Sequence, residues 1–133
     1  MITALQAHRM LAAGEGKAVA LGVPVNIALL DAGAHLKAFI RMDGAVLGSL
    51  DVAMKKARTA ALFETTSEAV WEYCKPGAPA HGLELSNGGL APFAGGITLK
   101  SGTGATLGAI GVSGGTVSQD LEIARAAVAA FDL

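Results

Sequence analysis

At 133 residues the chain holds one hydrophobic core and leaves no room for a second domain. Hydrophobic residues make up 52% and charged ones 16%, more apolar side chain than a lone small domain hides from water, so contacts between copies of the chain are expected. Ten basic residues against eleven acidic ones leave no field for a phosphate backbone, and no apolar run approaches the roughly 20 residues that cross a bilayer, which excludes nucleic acid and membrane as partners.

Thr3-Ala-Leu-Gln6 is a capping box and predicts a first helix from there to about residue 21. Leu5, Met10, Leu11, Gly14, Ala18 and Leu21 recur near its period, and Gly22 with Pro24 stops it. Val25 to Leu30 and Leu36 to Arg41 flank the turn chemistry of Asp31-Ala-Gly-Ala-His35, which predicts a β-hairpin. Gly48-Ser49-Leu-Asp51 supplies a cap, assigned to Ser49, and an acidic first turn. Ala53, Met54, Ala57, Ala60 and Ala61 then mark one face of a second helix, small enough to lie close to a sheet. Thr65-Thr-Ser67 caps a short third helix through Tyr73, and Pro76, Gly77 and Pro79 break regular structure.

Residues 75 to 96 form a Gly/Pro-rich loop with short extended pieces at Leu83 to Leu85 and Leu90 to Phe93, and long loops in compact domains are often functional. Ile97 to Lys100, the Ser101-Gly-Thr-Gly104 turn and Ala105 to Val112 predict a second hairpin, with Gly108 and Gly111 allowing a bend or close approach. Thr116 to Gln119 repeats the capping box and opens a last helix with Leu121, Ala124, Val128 and Phe131 on one face. The order α-β-β-α-α-β-β-α suits an α+β domain, an antiparallel sheet flanked by helices.

Candidate chemistry is sparse. Arg41-Met-Asp-Gly-Ala45 lies between a strand and a helix N-terminus, where a guanidinium and free N–H groups suit a carboxylate or propionate; the competing reading is an Arg41–Asp43 pair that fixes the turn. Ser49 and Thr59 bracket Lys56, and a Ser/Lys set can supply nucleophile and base. Ser49 and Lys56 stand two turns apart, which favours a capping role for the serine. Of the histidines, His8 reads as solvent-facing and His35 as either a ligand or a partner of Asp31 in the turn. His81, near Asn87 and Gly95-Gly96, is the preferred ligand or general base, weighed against an ordinary loop histidine, with Asp43 as the other proton carrier. Cys74 beside Lys75 reads as an inert buried thiol before a reactive one. The single cysteine closes no internal disulfide, no Cys/His cluster has metal spacing, and Gly111 to Gly115 lacks the lysine of a phosphate loop. The Met1 end lacks a secretion signal, so a reduced, cytoplasmic setting is expected.

Four stretches carry a resemblance: Pro24-Val-Asn-Ile-Ala-Leu-Leu-Asp-Ala-Gly-Ala-His-Leu36, Arg41 to Ala45, Ser49-Leu-Asp-Val-Ala-Met-Lys-Lys-Ala-Arg-Thr-Ala60, and Gly108 to Gly115 with Gln119-Asp120. Together they resemble the GlcG/HbpS-like haem-binding family, relatives of the C-terminal domain of PduO-type proteins. The resemblance implies a profilin-like fold with a five-stranded antiparallel sheet and helices on both faces, assembly into dimers or larger oligomers, and haem as a cofactor in some members. Two departures stand out: Gly33-Ala34 replaces the family's Gly-Gly or Asn-Gly turn, and a secretion signal and paired glutamates on the first helix are lacking, which argues against extracellular redox sensing. The leading expectation is a homo-oligomer binding haem or another small carboxylated ligand in a pocket rimmed by Arg41, Asp43, Lys56 and His81, with Ser49, Thr59, His35 and Asn87 as further contacts. The alternatives are a cofactor-free isomerase, lyase or hydrolase of a small organic acid, in which Arg41 orients the carboxylate and His81 or Asp43 moves a proton, and a stabilising subunit of a larger complex.

Overall fold

The computed structural model describes residues 1–131. Helix α1 (Ala4–Leu21) starts where the first capping box predicts: Thr3 Oγ1 accepts from the Gln6 N–H at 3.1 Å, and the Gln6 side chain accepts from the Thr3 N–H at 2.9 Å. Gly22, in the left-handed conformation, ends it. Strands β1 (Asn26–Asp31) and β2 (Leu36–Arg41) follow, then α2 (Ser49–Phe63), α3 (Ser67–Cys74), a 3-10 turn (Leu83–Leu85), β3 (Gly96–Lys100), β4 (Thr106–Ser113) and α4 (Val117–Ala129). The second capping box, Thr116 with Gln119, opens α4. Among the described residues no helix is long and apolar enough to cross a membrane.

The sheet order is β2-β1-β4-β3 with every pairing antiparallel, so the α+β class stands. Among the described residues the sheet has four strands rather than the five that the resemblance implied. The short extended pieces expected in the 75–96 loop join no ladder: Leu83–Leu85 coils into the 3-10 turn, the Leu90 N–H goes to the Glu84 carbonyl, and the Ala91 N–H goes to Thr59 Oγ1. Pro92 has no N–H to extend a ladder.

Strand alternation separates two faces. Val25, Ile27, Leu29, Ile110 and Val112 point to α1 and α4, where Met10 and Ile123 complete a core of large aliphatic side chains. Ala28, Leu30 and Ala109 point to α2 and meet Ala57, Ala60 and Ala61. The bare Cα of Gly111 lies against the backbone of Ala53 and Ala57, where any Cβ would collide, so the predicted close approach is real. Asp31 anchors the first hairpin: its Oδ1 accepts from the N–H groups of Gly33 and His35 at 2.9 and 3.0 Å. The His35 N–H is the main cause that lowers the Asp31 pKa below the ordinary aspartate value, although partial desolvation opposes it. Ala34 closes the turn at φ 64, a conformation that suits the glycine of the resembled pattern better.

Candidate functional site

The α2 face buries most of the polar chemistry. Lys56 projects from α2, 1% exposed, and its Nζ donates to the Val112 carbonyl and to Asp120 Oδ2, each at 2.9 Å. Asp120, in the first turn of α4 and 2% exposed, also accepts from the Gly115 N–H through Oδ1 at 2.9 Å. One ion pair therefore ties α2, β4 and the start of α4 together. The Phe93 ring centroid lies 5.1 Å from Nζ, within reach of a cation–π contact. Glycine at 95 is required, because its φ of 129 disfavours any side chain and a Cβ there would sit 2.5 Å from the Val112 carbonyl oxygen that Lys56 uses. Burial pushes the Lys56 pKa below the usual lysine value, and Asp120 opposes that shift.

Beside this pair, buried Asn26 donates through Nδ2 to Ser49 Oγ at 2.7 Å, and that hydroxyl donates to the Val46 carbonyl. The assignment of Ser49 as helix cap is thereby corrected: Gly48 occupies the cap position, and the serine hydroxyl is spent on a strand residue 23 positions earlier. Asn26 Oδ1 is buried without a partner among the described residues. Asn26 faces Ser113 across the β1–β4 ladder, so the two belong to the same end of the sheet.

Two cavities adjoin here. A recess of about 310 Å³ is walled by Val46, Ser49, Lys56, Ser113, Gly114 and Asp120 among others, and an apolar cavity of about 490 Å³ by Trp71, Pro92, Phe93 and Val117, with Glu68 and Glu72 on its wall. Phe93 and Val117 line both. A third cavity, of about 380 Å³, lies by Phe63, Tyr73 and Leu83. Trp71 and Phe93 are 44% and 42% exposed, an unusual amount of aromatic surface left to water.

Of the expected site residues only Ser49 and Lys56 come together, on the wall of the recess. Of Arg41, Asp43, Lys56 and His81, only Lys56 lines one of these three cavities; the other three are exposed. No ion pair joins Arg41 to Asp43; the turn is held instead by Met42 N–H on the Val25 carbonyl and Ala45 N–H on the Met42 carbonyl. Thr59 is buried as a stitch, donating to the Lys55 carbonyl at 2.7 Å and accepting from the Ala91 N–H at 2.9 Å. Asn87 takes a left-handed φ and offers its carbonyl to Arg58 at 3.0 Å. The His35 backbone serves the hairpin turn while its ring is exposed, 3.6 Å from Asp31 Oδ1, and His8 is exposed on α1. Cys74 is buried, and desolvation, then Glu84, pushes its thiol pKa upward, which fits an inert thiol. Asn26, Phe93, Ser113 and Asp120 went unassigned from sequence. The legible signal was Asn26, a lone amide in an otherwise apolar strand run.

The chain fits the body of a haem better than its iron. Trp71, Pro92, Phe93 and Val117 offer a flat ring an apolar wall, but neither adjoining cavity is lined by His or Cys. Among the described residues no group of three or more His, Cys, Asp or Glu could hold a metal ion.

A model of the family described as haem degrading protein HbpS-like matches residues 2–129. An uncharacterized 15.0 kDa protein of the dhaT-dhaS intergenic region of Citrobacter freundii is 37% identical over 131 residues, covering 98% of this chain and 92% of that protein. The corrinoid adenosyltransferase PduO of the same organism is 38% identical over 127 residues, 95% of this chain but only 38% of that protein's length. The crystal structure of a PduOC–haem complex superposes with a TM-score of 0.94 at 35% identity, covering 98% of this chain and 95% of that one.

Proposed function

Because this chain belongs to the HbpS-like family, we propose that it is a homo-oligomeric binding protein for haem or another flat carboxylated ligand. The observation that carries this reading is the exposed Trp71–Phe93 wall, apolar surface that a flat ring covers by stacking. The likeness to the PduOC–haem complex supports it. Haem when bound supplies a redox-active iron; the work of this chain is to bind the ring and exclude water from it. The Lys56 charge is already committed to Asp120, and Glu68 and Glu72 repel carboxylates, so the acid groups of such a ligand would be held by another cation, such as Arg41. A histidine that would hold the iron has to come from the exposed ones, His81 first and then His35 or His8, brought up by a neighbouring copy. Such a site is completed between subunits, which the surplus of exposed apolar side chains favours. The organic-acid enzyme is less well supported, since Arg41, Asp43 and His81 line none of the three cavities.

Trp71 is the only tryptophan, so haemin titration can be followed at once by the Soret band and by Trp71 emission. The expected result is a saturable Soret shift with quenching of that emission, weakened in Phe93→Ala, and a species larger than one chain in sedimentation. No Soret shift, or a monomer at micromolar concentration, overturns the proposal.

A further inference from the structure

We propose that Lys56 is a carbonyl-capturing amine: a small aldehyde or ketone entering the 310 Å³ recess condenses with its Nζ to form an imine. This inference is independent of ring binding, which uses the apolar cavity alongside. The recess is at the small end of ligand sites and suits a molecule of a few carbons. Its walls are polar where Lys56 stands: Ser49 and Ser113 supply hydroxyls, and the unpartnered Oδ1 of Asn26 belongs to the same hydrogen-bonded group through the 2.7 Å contact with Ser49. Such walls match a carbonyl compound that carries a hydroxyl group.

The geometry also supplies the proton route. Amines in water hold their proton at neutral pH and attack slowly, whereas Lys56 is out of water with a carboxylate at 2.9 Å. Asp120 accepts the ammonium proton, the freed nitrogen pair attacks the carbonyl carbon as the C=O π pair moves onto oxygen, and a proton passes from nitrogen to that oxygen to give the carbinolamine. Asp120 then returns the proton to the carbinolamine hydroxyl, the C–O bond breaks, water leaves and C=N forms. A purely structural clip has no need of a cavity, and apolar side chains of similar volume often serve as well as a buried ion pair. Here the amine and its carboxylate both form cavity wall. The other five lysines, Lys17, Lys37, Lys55, Lys75 and Lys100, are exposed or half-buried and provide the internal comparison.

The test is reductive trapping of the intact protein with glyceraldehyde and sodium cyanoborohydride, with the labelled lysine located by peptide mass mapping. Hydride reduces the imine carbon and leaves a stable secondary amine, so Lys56 is expected to carry the principal adduct although it is the least exposed lysine. Val46→Trp, at a mostly exposed position on the recess wall, tests the route without touching the ion pair. It should abolish the Lys56 adduct while circular dichroism and labelling of the surface lysines stay unchanged. Label confined to surface lysines, or an undiminished Lys56 adduct in Val46→Trp, overturns the proposal. Neither outcome changes the Soret shift expected above, so the two readings fail separately.

Discussion

The two faces of the sheet solve the packing problem in opposite ways. Beneath α1 and α4, large side chains such as Met10, Ile27, Leu29, Ile110 and Ile123 fill the space, and the core is apolar throughout. Beneath α2, alanines and Gly111 bring backbone almost onto backbone, and that side collects Asn26, Ser49, Lys56, Thr59 and Ser113, with Asp120 reaching in from α4. The contrast teaches where chemistry can be placed. A thick aliphatic layer has no partners for a polar atom, whereas close backbones expose carbonyls and N–H groups that a buried lysine or hydroxyl can use.

The largest effect expected from breaking this contrast is at the ion pair. Asp120→Asn leaves the buried Lys56 amine without its counter-charge and should cost about 3–5 kcal/mol in urea denaturation, while the double replacement Lys56→Met with Asp120→Leu should recover much of that loss. A loss within the range of an exposed pair, about 0–1 kcal/mol, breaks the contrast. The pH dependence has a definite sign. The folded-state Lys56 pKa lies below the ordinary 10.5, so between the two the unfolded chain binds more protons. Stability contributed by this group therefore rises as pH climbs through that window. The difference in unfolding free energy between wild type and Lys56→Met measures it, and a difference that shrinks with rising pH contradicts the assignment.

A second measurement compares neighbours on β4 that point to opposite faces. Adding a methyl group at Gly111 pushes α2 off the sheet and should cost about 1–3 kcal/mol or more. Removing a methylene with Ile110→Val on the aliphatic side should cost about 0.5–1.5 kcal/mol. Equal losses would mean that α2 gives way easily and the close approach is not a constraint.

The smallest expected effect lies outside both layers and sharpens the comparison by showing what a local feature contributes. Ala34→Gly relieves a left-handed alanine at the cost of greater freedom in the unfolded chain, for a net gain of about 0.5–1 kcal/mol. Thermal unfolding reads this gain, and a lower midpoint counts against strain at the turn.

Much of the fold was legible because its signals are local. Thr3 with Gln6, and Thr116 with Gln119, cap helices in the structure as they do on paper, since donor and acceptor lie within one helical turn. The four strands also fall where alternation and turn residues place them. The fifth strand that the resemblance implied is not present among the described residues, and the extended piece expected at Leu90 to Phe93 joins no ladder, because the N–H groups of Leu90 and Ala91 found partners in Glu84 and Thr59 and Pro92 has none to give. Ser49 misled for a related reason: its capping propensity is local, but Asn26 and the Val46 carbonyl claimed its hydroxyl.

By itself, the amino-acid order determined the class, the sequence of elements and the tight α2–sheet approach, since caps, breakers and small residues act over a few positions. Only the tertiary structure decided the site, because Lys56 and Asp120 stand 64 residues apart and nothing in either neighbourhood names the other. A charge enters a core only when its counter-charge arrives with it, and that meeting is a property of how α2 and α4 pack around β4.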